Sequence, residues 1–154
     1  MVVTALNDPF SYCAAVGDAL HPDWPYAGPS EPDAVVRTSE IAMHATPGGF
    51  DAYASQGAVF WRCMGGAVYA CVPGANLKCW DADIDRNPTQ AMNDWCMNHP
   101  AGGAPINDVI PASVTGHATI FEWRCRGAPT IVRQVVDLDA AGLNSRIWYR
   151  LVPP

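Results

Sequence analysis

Lysine is almost missing from this chain: Lys78 stands alone against eight arginines, and alanine is abundant, a bias that suggests a GC-rich bacterial source. Charged residues are only 16% of the 154, and no apolar run approaches the roughly 20 residues that a membrane-spanning helix requires, so no membrane span is expected. With 49% of residues apolar, wholesale disorder is excluded as well. The start lacks a basic segment followed by an apolar stretch, because Met1 to Leu6 runs directly into Asn7-Asp8-Pro9. Export would therefore mean that a signal peptide has been removed and Met1 added.

Familiar chemistry is scarce too. There is no Gly-x-Ser-x-Gly elbow, no His-Glu-x-x-His and no phosphate-cradling loop, so a nucleophile would have to be assembled from distant residues. No Cys-x-x-Cys pair occurs, and the nearest zinc set, Cys71, Cys79, Cys96 and His99, has familiar spacing only in its last two members. Neither a cofactor nor a nucleic-acid partner is expected.

What the chain does have is six cysteines, Cys13, Cys63, Cys71, Cys79, Cys96 and Cys125, an even set expected to be oxidised to disulfides in the periplasm or outside the cell. The length suits one domain over residues 1–154. Residues 1–29, rich in Pro, Gly and aromatics, read as an irregular wrap over the core. Residues 30–56 read as a helix and connector, with Ser30 as N-cap, Glu31 and Asp33 in the first turn, and an end near His44 before Pro47-Gly48-Gly49. From Gly57 the pattern alternates, and Gly65-Gly66 supplies a two-residue hairpin turn. That register sets Cys63 opposite Val68 and Cys71 opposite Phe60, on opposite faces, so the two cysteines should not pair with each other.

Asp81, Asp83 and Asp85 alternate as calcium ligands do, yet Arg86 stands where an EF-hand turn needs Gly, and Met92 where it needs Glu. A helix over 88–98 accounts for the segment better, with Asn87 as cap, Pro88 first and Gln90 closing a capping box. After a Gly/Pro-rich connector, strands are expected over 117–125, 130–138 and 143–151, joined by four-residue turns. The expected architecture is α+β: an antiparallel sheet of about five strands over 57–154, two helices, and disulfides.

Counting across the last three strands places Trp123, Val132 and Tyr149 on a core side. The opposite side then carries Glu122 beside Arg133 and Trp148, with Arg124, Arg150 and Arg146 in neighbouring rows. Four arginines and a tryptophan on one face of an acidic chain can hold a carboxylate, phosphate or sulfate, or an acidic partner. The competing reading is a solvated face whose arginine stems lie over Ile131 and Val135. His44 and His99 fall at helix C-termini, where capping explains them. His21 and His117 have no partner that the sequence identifies. Trp24, Trp80 and Trp148 are the tryptophans left for stacking against sugar rings.

Trp61-Arg-Cys63-Met-Gly65-Gly66-Ala-Val-Tyr69 and Trp123-Arg-Cys125-Arg-Gly127 repeat an aromatic-x-Cys-x-Gly pattern. In this the chain resembles the secreted and periplasmic inhibitors of c-type lysozyme, and bacterial exported proteins of unknown function with a Trp-Arg-Cys-x-Gly signature. The resemblance covers residues 57–72 and 117–151 and implies a β-rich disulfide protein. The inhibitors enter the lysozyme cleft with a Ser-Gly-rich segment followed by Tyr; here the counterpart is Gly65 to Tyr69, which lacks the serine.

Six cysteines allow fifteen connectivities. The arrangement favoured by faces and loop size is Cys79 with Cys96, Cys63 with Cys125, and Cys13 with Cys71. For function, the first expectation is a non-catalytic binding or inhibitor-type module engaging a protein or glycan through the Arg/Trp148 face or the Gly65-Gly66 hairpin. The alternatives are a small secreted hydrolase of esters or glycans, drawing on Glu122, His117 and the 81–85 loop, and a calcium-stabilised interaction domain.

Overall fold

The computed structural model describes residues 2–44, 59–73, 79–80, 82–99 and 108–154. The fold is α+β and disulfide-stabilised; the described residues form four helices and five strands that pair antiparallel in two sheets. The chain divides into two compact units: Met1–Ala75 with Arg146–Pro154, and Asn76–Ser145.

The first unit begins with a helix where an irregular wrap is expected. Helix α1, Pro9–Val16, is opened by Asp8, whose carboxylate accepts from the Ser11 amide at 2.8 Å. Pro9 occupies the first turn, where its missing N–H costs nothing, and Gly17 ends the helix at φ 80°. Helix α2, Asp33–His44, starts later than expected because Ser30 and Glu31 are spent elsewhere. The Ser30 carbonyl accepts from the Trp61 indole at 2.9 Å, and the Glu31 carboxylate from the Val59 amide at 3.3 Å. Pro32 supplies the first carbonyl, accepting from Val35 and Val36.

Strands β1, Phe60–Met64, and β2, Ala67–Cys71, form the expected hairpin in the expected register, Cys63 opposite Val68 and Phe60 opposite Cys71. Gly65 and Gly66 both have positive φ, 58° and 79°, which a two-residue turn matching the strand twist requires. Trp61 and Val68 of the hairpin share a buried core with Tyr12, Val35, Met43 and Leu151. Each aliphatic side chain so buried contributes about 1.5–3 kcal/mol. Strand β5, Tyr149–Arg150, pairs with β2, Tyr69 opposite Arg150.

In the second unit, helix α3, Gln90–Asn98, is capped by Thr89, whose hydroxyl accepts from the Met92 amide at 3.2 Å. The expected cap, Asn87, instead donates its amide to Asp85, and Gln90 bonds Asp94 rather than closing a box. A single helical turn, α4, spans Ala112–Thr115. Strand β3, Phe121–Cys125, alternates as expected, with Phe121, Trp123 and Cys125 turned into a core with Met92, Cys96, Ile110 and Ile120.

Strand β4, Pro129–Gln134, corrects the expected register. Glu122 does lie opposite Arg133, but a bulge follows, so Trp123 faces Ile131 instead of Val132, and Arg124 faces Thr130. The third strand is not added to this sheet. The Val135 and Val136 amides are already taken by the Ile120 carbonyl, and the Asp139 carboxylate gathers the Ala141 and Leu143 amides into a wide turn. The chain then reaches β5, which joins β2.

The disulfides are Cys13–Cys63 and Cys96–Cys125; Cys71 and Cys79 are bonded as well, and no cysteine is free. The expected Cys79–Cys96, Cys63–Cys125 and Cys13–Cys71 pairs are all corrected. An antiparallel bridge between Ala19 and Cys63 draws the end of α1 against β1, which puts Cys13 on the face of Cys63. In the other unit Cys125 points inward from β3 to the apolar face of α3, where Cys96 lies.

Candidate ligand pocket of the second unit

A cavity of about 380 Å³ opens in the second unit between the segment before β3, the α4 turn and the end of β4. Its apolar wall is Val109, Ile110, Phe121, Trp123 and Val135; its polar groups come from Thr115, His117, Thr119 and Glu122. The frame is backbone-bonded. The Ile110 amide donates to the Trp123 carbonyl at 3.0 Å, which fixes the 109–110 segment along β3. On the other side Asp83 bridges Thr119 in parallel, through Asp83 N to Ala118 O at 2.7 Å and Ile120 N to Asp83 O at 3.0 Å.

Thr119 is the most constrained polar group. Its hydroxyl oxygen accepts from the Trp123 indole and from the Phe121 amide, both at 3.3 Å. With both acceptor positions used, its own O–H is left to donate. Thr115 donates to the Gly116 carbonyl.

Glu122 belongs to a row of alternating charge. Asp108 pairs Arg124 at 2.7 Å, Arg124 pairs Glu122 at 3.2 Å, and Glu122 pairs Arg133 at 2.9 Å. Hydrogen bonds from Arg133 first, then Arg124, hold the Glu122 carboxyl below the usual carboxylate range. The Arg124 guanidinium is pushed up, chiefly by its bond to Glu122. Glu122 thus stays ionised at ordinary pH and offers no proton, so it is unsuited to general acid work. Among the described residues, no hydrogen bond joins a Ser or Thr hydroxyl to His117 or Glu122, the contact that would mark an activated nucleophile.

The expected arginine face is only partly assembled. Glu122, Arg124 and Arg133 come together on β3 and β4, whereas Arg146, Trp148 and Arg150 belong to the first unit because β5 pairs with β2. Trp148 is buried, with the Arg62 guanidinium 4.7 Å over its ring, so it presents no stacking surface. Trp24 is the exposed tryptophan of the three, at 65%. His99 does serve the end of α3: its Nδ1 lies 2.9 Å from the Trp95 carbonyl and its ring stacks on Trp95.

The calcium candidate has another explanation. The Asp83 carboxylate accepts from the Asp85 amide and the Asp85 carboxylate from the Asn87 amide, turning the alternation into successive local turns. Asp81 and the His44 side chain lie outside the described residues, among which no group of three His, Cys, Asp or Glu can hold a metal. In the first unit the hairpin tip is tethered, Gly65 N to Asp18 at 2.7 Å and Gly66 N to the Gly17 carbonyl at 2.8 Å, while Val68 is buried.

Comparisons with protein-family models, curated proteins and solved structures each found no match.

Proposed function

We propose that this chain is a non-catalytic binding module of an extracytoplasmic compartment, and that a compact group of a glycan ligand enters the pocket before β3. The observation that carries the reading is one cavity, of a size typical for small ligands, in which an apolar wall meets a few converging polar groups. The Thr119 O–H and the Glu122 carboxylate supply a donor and an acceptor suited to sugar hydroxyls. Three disulfides support the compartment, and among the described residues no helix is long and apolar enough to cross a membrane.

A small hydrolase is the second reading, because His117 and Glu122 line the same cavity. Glycoside hydrolysis needs two carboxyl groups with separate duties. Among the described residues Glu122 is the only carboxylate lining this cavity, and both its oxygens are held by arginines. Binding accounts for that arrangement better than turnover does.

Calorimetric titration with the N-acetylglucosamine trimer tests both readings. The binding account expects saturable heat, lost when Ala112→Trp fills the mouth, with the melting temperature held. Binding that survives Ala112→Trp would overturn the pocket. Release of p-nitrophenol from its acetate or N-acetylglucosaminide, abolished by His117→Ala, would favour the hydrolase.

A further inference from the structure

The row of charges beside the pocket is neutral in sum, one positive group for each negative one, but its hydrogen-bonding capacity is uneven. Glu122 spends one oxygen on Arg124 and the other on Arg133. Arg124 spends both arms of its fork, Nη1 on Asp108 and Nη2 on Glu122. Among the described residues Arg133 is engaged through Nε alone, and its side chain is 69% exposed. The two Nη groups of Arg133 therefore keep four N–H donors, while the Nε bond restrains where the guanidinium lies. The guanidinium is one hydrogen bond from Glu122, which lines the cavity, and Arg133 is two residues along the chain from Val135, which lines it too.

We propose that this fork is the anion-binding arm of the pocket, and that the ligand is a sugar bearing a carboxylate next to the group that enters the cavity. This rests on the binding reading above. A carboxylate matches two parallel N–H groups of a guanidinium, and a pre-oriented fork loses less freedom on binding than a lysine would. Counted with Arg133 itself the row is neutral, so an incoming carboxylate is held by the two Nη groups through directed hydrogen bonds and not by a net positive field. An extended acidic peptide fits less well: the β3 edge bordering the pocket is already bonded to Ile110, so strand addition is closed there, and a compact ring suits the opening.

The test compares N-acetylmuramic acid with its carboxamide, which has nearly the same shape and no charge, on the full chain. The acid is expected to bind at least about tenfold more tightly, and Arg133→Gln to remove the preference while leaving carboxamide affinity within about twofold. Equal affinities for acid and carboxamide would overturn the anion arm while leaving the pocket reading intact. Binding of neither sugar would overturn both. Preferential binding of a polyglutamate peptide over the acid would replace the sugar with an acidic polypeptide and overturn the inference. Arg133→Gln gives up its pair with Glu122 and is expected to melt slightly below the parent, so retained carboxamide binding is the control that the loss is one of recognition.

Discussion

Thr119 and Glu122 are where the account is most exposed to single substitutions. Thr119→Val removes the acceptor of the buried Trp123 indole and leaves that N–H unpaired, an expected loss of about 1–3 kcal/mol in denaturant unfolding. Glu122 has its folded-state pKa lowered by Arg133 and Arg124, so its stabilising contribution is complete above the ordinary carboxylate value of the unfolded chain and disappears as pH falls through the lower folded value. The melting temperature of Glu122→Gln should accordingly fall below that of the parent at neutral pH and converge with it in acid; a gap that widens on acidification would contradict the ion pairs. The Glu122 to Arg133 pair was legible from strand counting. Asp108 was not, because it follows a Gly/Pro-rich connector whose composition says nothing about where its end returns.

At the scale of elements, α1 shows a legible signal outweighed by its surroundings. Asp8, Pro9 and Gly17 mark a start and a stop, but the Pro- and aromatic-rich stretch around them conceals any apolar stripe. Asp8→Ala should cost about 1 kcal/mol, the usual worth of an N-cap, in the same denaturation assay. The β1–β2 hairpin was readable to the residue because two glycines fix the turn and alternation fixes the faces. The last strands were not, for two physical reasons. A bulge inserts one residue into β4, which alters every pairing after Glu122. The final strand prefers β2, a partner distant in sequence, and local pattern carries no information about such a pairing. The four-arginine face failed with that assumption, while its β3–β4 half survived.

For the whole molecule, the α+β class and the oxidised cysteines follow from composition and alternation, but the pairing of the cysteines depended on long-range packing. Peptide mapping should return Cys13–Cys63 and Cys96–Cys125. Separations of 50 and 29 residues put the chain-entropy worth of these bridges at about 4 and about 3.6 kcal/mol, so replacing either pair by serine should lower stability by roughly those amounts. The lysozyme-inhibitor resemblance is tested by mixing the chain with a c-type lysozyme: near-stoichiometric inhibition would move the binding surface to the Gly65-Gly66 hairpin, and the pocket account expects none. The most direct test of the pocket itself is amide and indole chemical-shift mapping during titration with the N-acetylglucosamine trimer. The account predicts saturable shifts at Thr119, Glu122 and the Trp123 indole; shifts confined to Gly65, Gly66 and Tyr69, or none at all, would contradict it.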